Sequence, residues 1–233
     1  DTMLVGDWGF QRVTFWTVGS KRLEAVPMPE GTNGALRRAR DAAGQWYFGG
    51  TPSPGRDGSG LADSGRVIRA DAMLTKFDTI AQLVSPDLAM VPREGGPRLE
   101  RRILTGMDKW GVLGDGTLWI ARTKQNQVEW RNPDGSLQAQ TKPLPDPILP
   151  VQEMDRQLYL RRFPEDQRQA ANTQVFAELK PPFEAAFATP DRRIWLFKSA
   201  PALDSIRTFQ VVDSSGLKAV IEVPSRGTAI GVD

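Results

Sequence analysis

The sequence predicts an all-β fold of β-propeller type with one helical insertion, and three observations carry that prediction. A turn-led, aromatic-rich apolar run recurs along the chain. Each recurrence is followed by a second run in which apolar and polar residues alternate, the mark of a half-buried strand. Further turns then lead into additional strands, so the repeating unit is a meander of about four antiparallel strands.

The repeats open at Asp1-Thr-Met-Leu-Val-Gly, Gly44-Gln-Trp-Tyr-Phe-Gly, Gly116-Thr-Leu-Trp-Ile-Ala and Arg192-Arg-Ile-Trp-Leu-Phe. Their second strands are Gln11-Arg-Val-Thr-Phe-Trp, Gly65-Arg-Val-Ile-Arg-Ala, Asn126-Gln-Val-Glu-Trp-Arg and Ile206-Arg-Thr-Phe-Gln-Val-Val. Asp115-Gly116 joins Trp110-Gly-Val-Leu to Thr117-Leu-Trp-Ile as a hairpin, with both turn residues expected at positive φ. Turns follow at Gly19-Ser20, Asp71-Ala72, Pro133-Asp134-Gly135 and Asp213-Ser214-Ser215-Gly216, the last two leading into strands over 137–141 and 217–223.

Propeller blades repeat about every 40 to 50 residues, and the first interval, Asp1 to Gly44, fits. The later intervals are longer and each needs an insertion. Residues 51–64, rich in Gly, Pro, Ser and Asp, read as an exposed loop. Residues 147–179 read as a Pro-rich lead and a helical excursion, because Val151, Met154, Leu158 and Phe163 recur at near-helical spacing. The expectation is one domain over 1–233, about four recognisable four-stranded blades, and a single substantial helix within 151–170 lying outside the blades.

Composition narrows the functional classes. Thirty basic residues against 28 acidic ones give a net charge of +2, with the signs interspersed apart from knots such as Arg37-Arg38-Ala39-Arg40 and Glu100-Arg101-Arg102. That balance argues against a nucleic-acid partner. No apolar run approaches the ~18 residues of a membrane span. With no Cys and no His, the commonest thiolate nucleophile, general base and transition-metal ligand are all missing, and chemistry would rest on carboxylates, lysine or hydroxyls. No cofactor and no metal are therefore expected, and binding is favoured over catalysis. The opening at Asp1 suggests a processed chain or a fragment, with any signal peptide already removed.

The stretch Gly106-Met-Asp-Lys-Trp-Gly-Val-Leu-Gly-Asp-Gly-Thr-Leu-Trp-Ile-Ala-Arg, followed by Asn126-Gln-Val-Glu-Trp-Arg-Asn-Pro-Asp-Gly-Ser, resembles the six-bladed, NHL/TolB-like β-propellers that many bacteria export. Asp1-Thr-Met-Leu-Val-Gly-Asp-Trp-Gly-Phe-Gln-Arg-Val-Thr-Phe-Trp is similar to the NHL blade pattern, and Pro181-Pro182-Phe183 with Pro190-Asp191-Arg192-Arg193-Ile194-Trp195 adds to the likeness. The resemblance implies six blades where about four are visible. It also implies an exported, periplasmic protein whose motifs specify architecture rather than activity.

Candidate residues follow from that frame. Asp108, Lys109 and Trp110 bring a carboxylate, an amine and an indole together near a strand start, where they would line the central channel; the plainer alternative is an ion pair at a strand edge. Met154, Leu158 and Phe163 on the helical insertion are candidates for partner binding. The tryptophans at 8, 16, 46, 110, 119, 130 and 195 read as core filling between blades more readily than as a stacking platform. Asp57, Asp63 and Asp71 lack the spacing of a calcium loop and read as turn residues. Gly49-Gly50, Gly55, Gly58 and Gly60 have no Gly-Lys-Ser/Thr after them and make no phosphate loop. The expected function is a non-catalytic interaction module, an accessory subunit docking on protein partners such as a membrane-bound respiratory or photosynthetic assembly. The alternative is a small-molecule binder or carboxylate-based enzyme with its site in the central channel.

Overall fold

The computed structural model describes residues 2–7, 10, 12–17, 19, 21–28, 38–50, 64–84, 87–93 and 95–224. The fold is all-β, built of antiparallel meanders of the kind that form propeller blades, and in every sheet the strand order follows the chain order. The chain divides into two compact units.

The first unit comprises Asp1–Ser85 with the turns Gly114–Leu118 and Asn132–Ser136. It holds a three-stranded sheet, β1 (Thr2–Asp7), β2 (Arg12–Thr17) and β3 (Arg22–Pro27). A four-stranded sheet follows, β4 (Arg38–Arg40), β5 (Trp46–Gly50), β6 (Ser64–Ala70) and β7 (Phe77–Val84). Its core gathers Val13, Phe48, Ala70 and Leu74, with Phe15, Val26, Met28, Trp46 and Phe77 against them. Tyr47 is wholly buried and donates its hydroxyl to Asp41 Oδ2 at 2.9 Å. Burial and the adjoining Asp41 carboxylate push the Tyr47 phenol well above its ordinary range, so it stays a donor.

The second unit comprises Pro86–Leu113, Trp119–Arg131 and Leu137–Asp233. It holds a two-stranded sheet, β8 (Leu88–Val91) with β9 (Arg98–Arg101). Next comes a four-stranded sheet of β10 (Lys109–Val112), β11 (Leu118–Arg122), β12 (Gln127–Arg131) and β13 (Leu137–Gln140), whose two hairpin turns belong to the first unit. The helices α1 (Glu153–Leu160) and α2 (Glu165–Asn172) follow. A last four-stranded sheet contains β14 (Phe183–Ala188), β15 (Ile194–Lys198), β16 (Ile206–Asp213) and β17 (Gly216–Pro224). Leu113, Trp119, Ala121, Val128, Trp130 and Leu144 pack on Phe183, Ile194, Leu196 and Val212 to form the core. Trp119 and Trp130 are thus core residues, as the sequence suggests.

One turn type recurs. In Asn132-Pro-Asp-Gly-Ser the N–H of Asn132 donates to Ser136 O at 2.9 Å and that of Gly135 to Asn132 O at 2.8 Å. Asp41 with Gly44 and Gln45, and Thr189 with Arg192 and Arg193, repeat the pattern. The fourth residue is left-handed each time, at φ +88° in Gly135, +85° in Gly44 and +68° in Arg192. At the Asp115-Gly116 hairpin only Gly116 has positive φ, which corrects the expectation that both residues would. Asp115 instead accepts the Thr117 N–H through Oδ1 at 3.0 Å, a local carboxylate cap. A Cβ on Gly135 would collide with the Ile80 carbonyl, so glycine is required there on two counts.

Three differences from the sequence reading stand out. The four meanders that the sequence marks are joined, among the described residues, by a fifth sheet, the β8–β9 pair, which the sequence pattern does not mark, and β4 is an unmarked strand within one of the four. Arg38-Ala39-Arg40, which reads as a basic knot, is β4, since pairing with Tyr47 and its neighbours overrides its composition. The single helix expected within 151–170 is two helices of eight residues each. Pro164 explains the break, because it disfavours helix at Phe163 while its own φ of −52° suits a helix start. Residues 51–63 of the expected loop, with Asp57, Asp63, Gly55, Gly58 and Gly60, lie outside the described residues, as do Trp8 and Arg37; Ser64 opens β6.

Candidate functional site

The helical insertion closes on itself. At its neck Val151 N donates to Glu178 O at 2.9 Å and Lys180 N to Leu149 O at 2.8 Å. Farther out, Ile103 N donates to Val175 O at 2.8 Å and Ala177 N to Ile103 O at 2.9 Å, fastening the returning strand beside the end of β9. Tyr159 makes edge contacts with Phe163 at 5.2 Å and Phe176 at 5.4 Å, and its hydroxyl donates to Gln174 Oε1 at 2.7 Å. Tyr159 thereby ties α1 to the segments on either side of α2.

Within the second unit this insertion walls a cavity of about 440 Å³. Asp155, Leu158, Tyr159 and Arg162 face it at helical spacing. The segment Leu104 to Met107 with Lys109, the start of β14 with Pro181 and Glu184, and the turn from Ser199 to Asp204 complete the lining. Gly106 makes the close approach possible, since a Cβ there would sit 2.7 Å from Pro181 Cβ.

Lys180 is the hinge of the charge pattern. Its Nζ lies 2.5 Å from Asp155 Oδ1 and donates to Ala200 O at 2.7 Å. Asp155 in turn accepts the Gln152 N–H through Oδ2 at 2.9 Å and so caps α1. Beside them, Ser199 is 7% exposed and its Oγ has no hydrogen-bond partner. An orphaned buried hydroxyl costs roughly 1–3 kcal/mol. Leu104 and Leu203 both line the cavity at positive φ, +63° and +71°, in a region that bulky side chains avoid.

The sequence-derived cluster is split. Asp108 is buried, bonded through Oδ2 to Arg122 Nη1 at 2.9 Å, and accepts the Thr123 N–H at 3.0 Å. Arg122 also grips Glu129 with two bonds of 2.9 Å, and Arg131 adds a further bond to Glu129 at 2.9 Å. Burial would raise Glu129, but the hydrogen bonds and charge of Arg122, then of Arg131, hold it below the ordinary carboxylate range. Burial likewise opposes the Arg122 charge, and Glu129 and Asp108 outweigh it. Lys109 lines the cavity, whereas Trp110 is half-buried and absent from its lining.

Of the insertion residues, Leu158 forms cavity wall, Phe163 packs on Tyr159, and Met154 is half-buried. Asp71 is a turn cap that accepts the Thr75 N–H at 2.6 Å; the Thr75 hydroxyl and backbone bonds draw it below its ordinary value. Among the described residues no three acidic side chains converge as a metal site. Lys180, Asp155, Ser199, Arg162 and Glu184 escape the sequence reading because their meeting depends on how the insertion returns. Only the spacing of Asp155, Leu158 and Arg162 hints at a shared helix face.

No family model and no curated protein matches the chain. Among solved structures, a Bacteroides caccae protein of unknown function aligns over 94% of this chain and 56% of its own, at 11% identity and TM-score 0.41. Virginiamycin B lyase from Staphylococcus aureus aligns over 97% and 67%, at 10% identity and TM-score 0.38. The PQQ-bound aldose sugar dehydrogenase from Streptomyces coelicolor aligns over 92% and 57%, at 11% identity and TM-score 0.39. The chain thus spans little more than half the length of the first and third of these. Likenesses this remote transfer neither activity nor ligand.

Proposed function

We propose that this chain is a non-catalytic binding module of blade architecture that holds a small molecule in the cavity beneath α1. One observation carries the reading: the cavity's buried ionic groups are already spent on structure. Asp155 caps α1 and neutralises Lys180, and Lys180 also holds Ala200 O. A proton shuttle needs a group free to change partners, and the buried pair of this cavity is committed to fixed ones.

The wider setting is an exported member of the NHL/TolB-like group, serving as an accessory subunit that docks on a membrane-bound assembly. What supports that part is the sequence resemblance, together with large apolar side chains exposed at Met90, Leu179 and Leu203 in the second unit.

A fragment screen by ligand-observed NMR tests the cavity reading. Fragments should bind, and Leu158→Trp or Ala202→Trp, each filling the cavity, should remove the signals. Binding that survives both variants in folded protein would refute the site, and turnover of any hit would refute the non-catalytic role. Affinity capture from a membrane extract addresses the docking role, with specific recovery of membrane subunits as the expected result.

A further inference from the structure

The charges around the cavity specify a ligand class, on the premise stated above that the cavity binds a small molecule. Asp155 and Lys180 satisfy one another. Asp204 accepts the Ile206 N–H at 2.9 Å and keeps its charge, and Lys109 is a further cation of the lining. Arg162, just beyond α1, and Glu184, on β14, have no ion-pair partner among the described residues, and both are exposed at the cavity. The Arg162 guanidinium lies 6.0 Å from the centre of the Tyr159 ring, so its approach is set by the aromatic cluster that holds the helix. Arg162 and Glu184 therefore offer an open cation and an open anion from different elements, and the lining also contains Leu104, Met107, Leu158, Pro181 and Leu203.

We propose that the cavity takes an apolar zwitterion of amino-acid or dipeptide size. Its carboxylate meets Arg162, whose planar fork suits a carboxylate, and its ammonium meets Glu184. Its apolar side chains lie against Leu104, Leu158 and Leu203. A volume of about 440 Å³ has room for such a molecule and falls in the usual range for small-ligand sites, ~300–1,000 Å³. A second observation is independent of charge: Leu104 and Leu203 are both left-handed, and strained backbone of this kind gathers where ligands are held. Multiply charged anions such as polyphosphates are disfavoured by Glu184.

Calorimetric titration with five probes tests the assignment: leucine, leucyl-leucine, its N-acetyl form, its C-terminal amide, and the doubly capped dipeptide. Leucyl-leucine or leucine should bind best, and the better of the two fixes the ligand size. Because Arg162 and Glu184 are exposed, Arg162→Gln and Glu184→Gln should fold normally. Arg162→Gln should weaken the zwitterion about fivefold to tenfold and leave the C-terminal amide unchanged. Glu184→Gln should weaken the zwitterion and leave the N-acetyl form unchanged. Equal binding of the doubly capped dipeptide overturns the zwitterion while the cavity reading stands, as does binding of other fragments, lost in Leu158→Trp, with none of the five probes bound. If no fragment occupies the cavity at all, both readings fall together.

Discussion

Lys180 Nζ and Asp155 Oδ1 stand 2.5 Å apart with both side chains only 9% exposed, so the ion pair that closes the insertion onto the cavity is a buried one. Buried pairs are costly to break from one side because the surviving charge has lost its compensation.

Lys180→Met or Asp155→Leu alone should therefore lower stability by about 3–5 kcal/mol, while the double variant should recover most of that loss. Denaturant unfolding of the four proteins measures the cycle. Additive losses would mean that the pair is not coupled.

Acid sensitivity should centre on Glu129. Its folded-state pKa is held below the unfolded value, so the stabilisation is present above the ordinary glutamate range and is lost as pH falls through the folded value. Glu129→Gln leaves the buried Arg122 with Asp108 as its remaining carboxylate and should cost about 1–3 kcal/mol at neutral pH. The gap between variant and wild type should narrow below about pH 4. Unfolding free energies at pH 7, 4 and 3 provide the check, and a gap that stays constant would contradict it.

Leu203 is 70% exposed at a φ of +71°, so its side chain contributes little to the fold and its backbone is strained. Leu203→Gly should raise stability by roughly 0.5 kcal/mol, the strain relieved less the greater entropy that glycine loses on folding. The same change should weaken any apolar ligand of the cavity. Thermal unfolding and titration on one variant test the opposite signs.

Replacing residues 152–177 with a short glycine link, together with Lys180→Met so that no buried charge is orphaned, should leave the far-UV signal of the four-stranded sheets in place and remove the cavity. The paired neck from Leu149 to Val151 and Glu178 to Lys180 is what permits the excision. Loss of the β signal would show that the insertion is needed for the sheets to form.

The strands around Trp46, Trp119 and Trp195 were legible because alternation and turn chemistry are local, and the antiparallel neighbours β11 and β12 fall within the segments that the pattern marks. Leu88–Val91 and Arg98–Arg101 were not, since four-residue strands carry too few alternations to stand out. The cavity was illegible for a different reason. Asp155 and Lys180 meet only because the chain leaves and returns at one place, and no spacing in the sequence encodes a return. Asp108 and Lys109 show the limit from the other side: adjacent in sequence, one is buried with Arg122 and the other lines the cavity.

The neck also bears on how the region tolerates change in length. Its entry and exit already lie a hydrogen bond apart, at 2.9 Å between Val151 N and Glu178 O, so the chain between them is a closed loop hung on a fixed gate. The entropy of closing such a loop grows only logarithmically with its length, about 0.6 kcal/mol for each doubling. Variants that lengthen or shorten the segment while keeping Asp155 and the clasp of Ile103 on Val175 and Ala177 therefore face almost no penalty at the gate. The length of this helical segment can thus vary cheaply, and ligand preference can drift here while the sheets stay fixed.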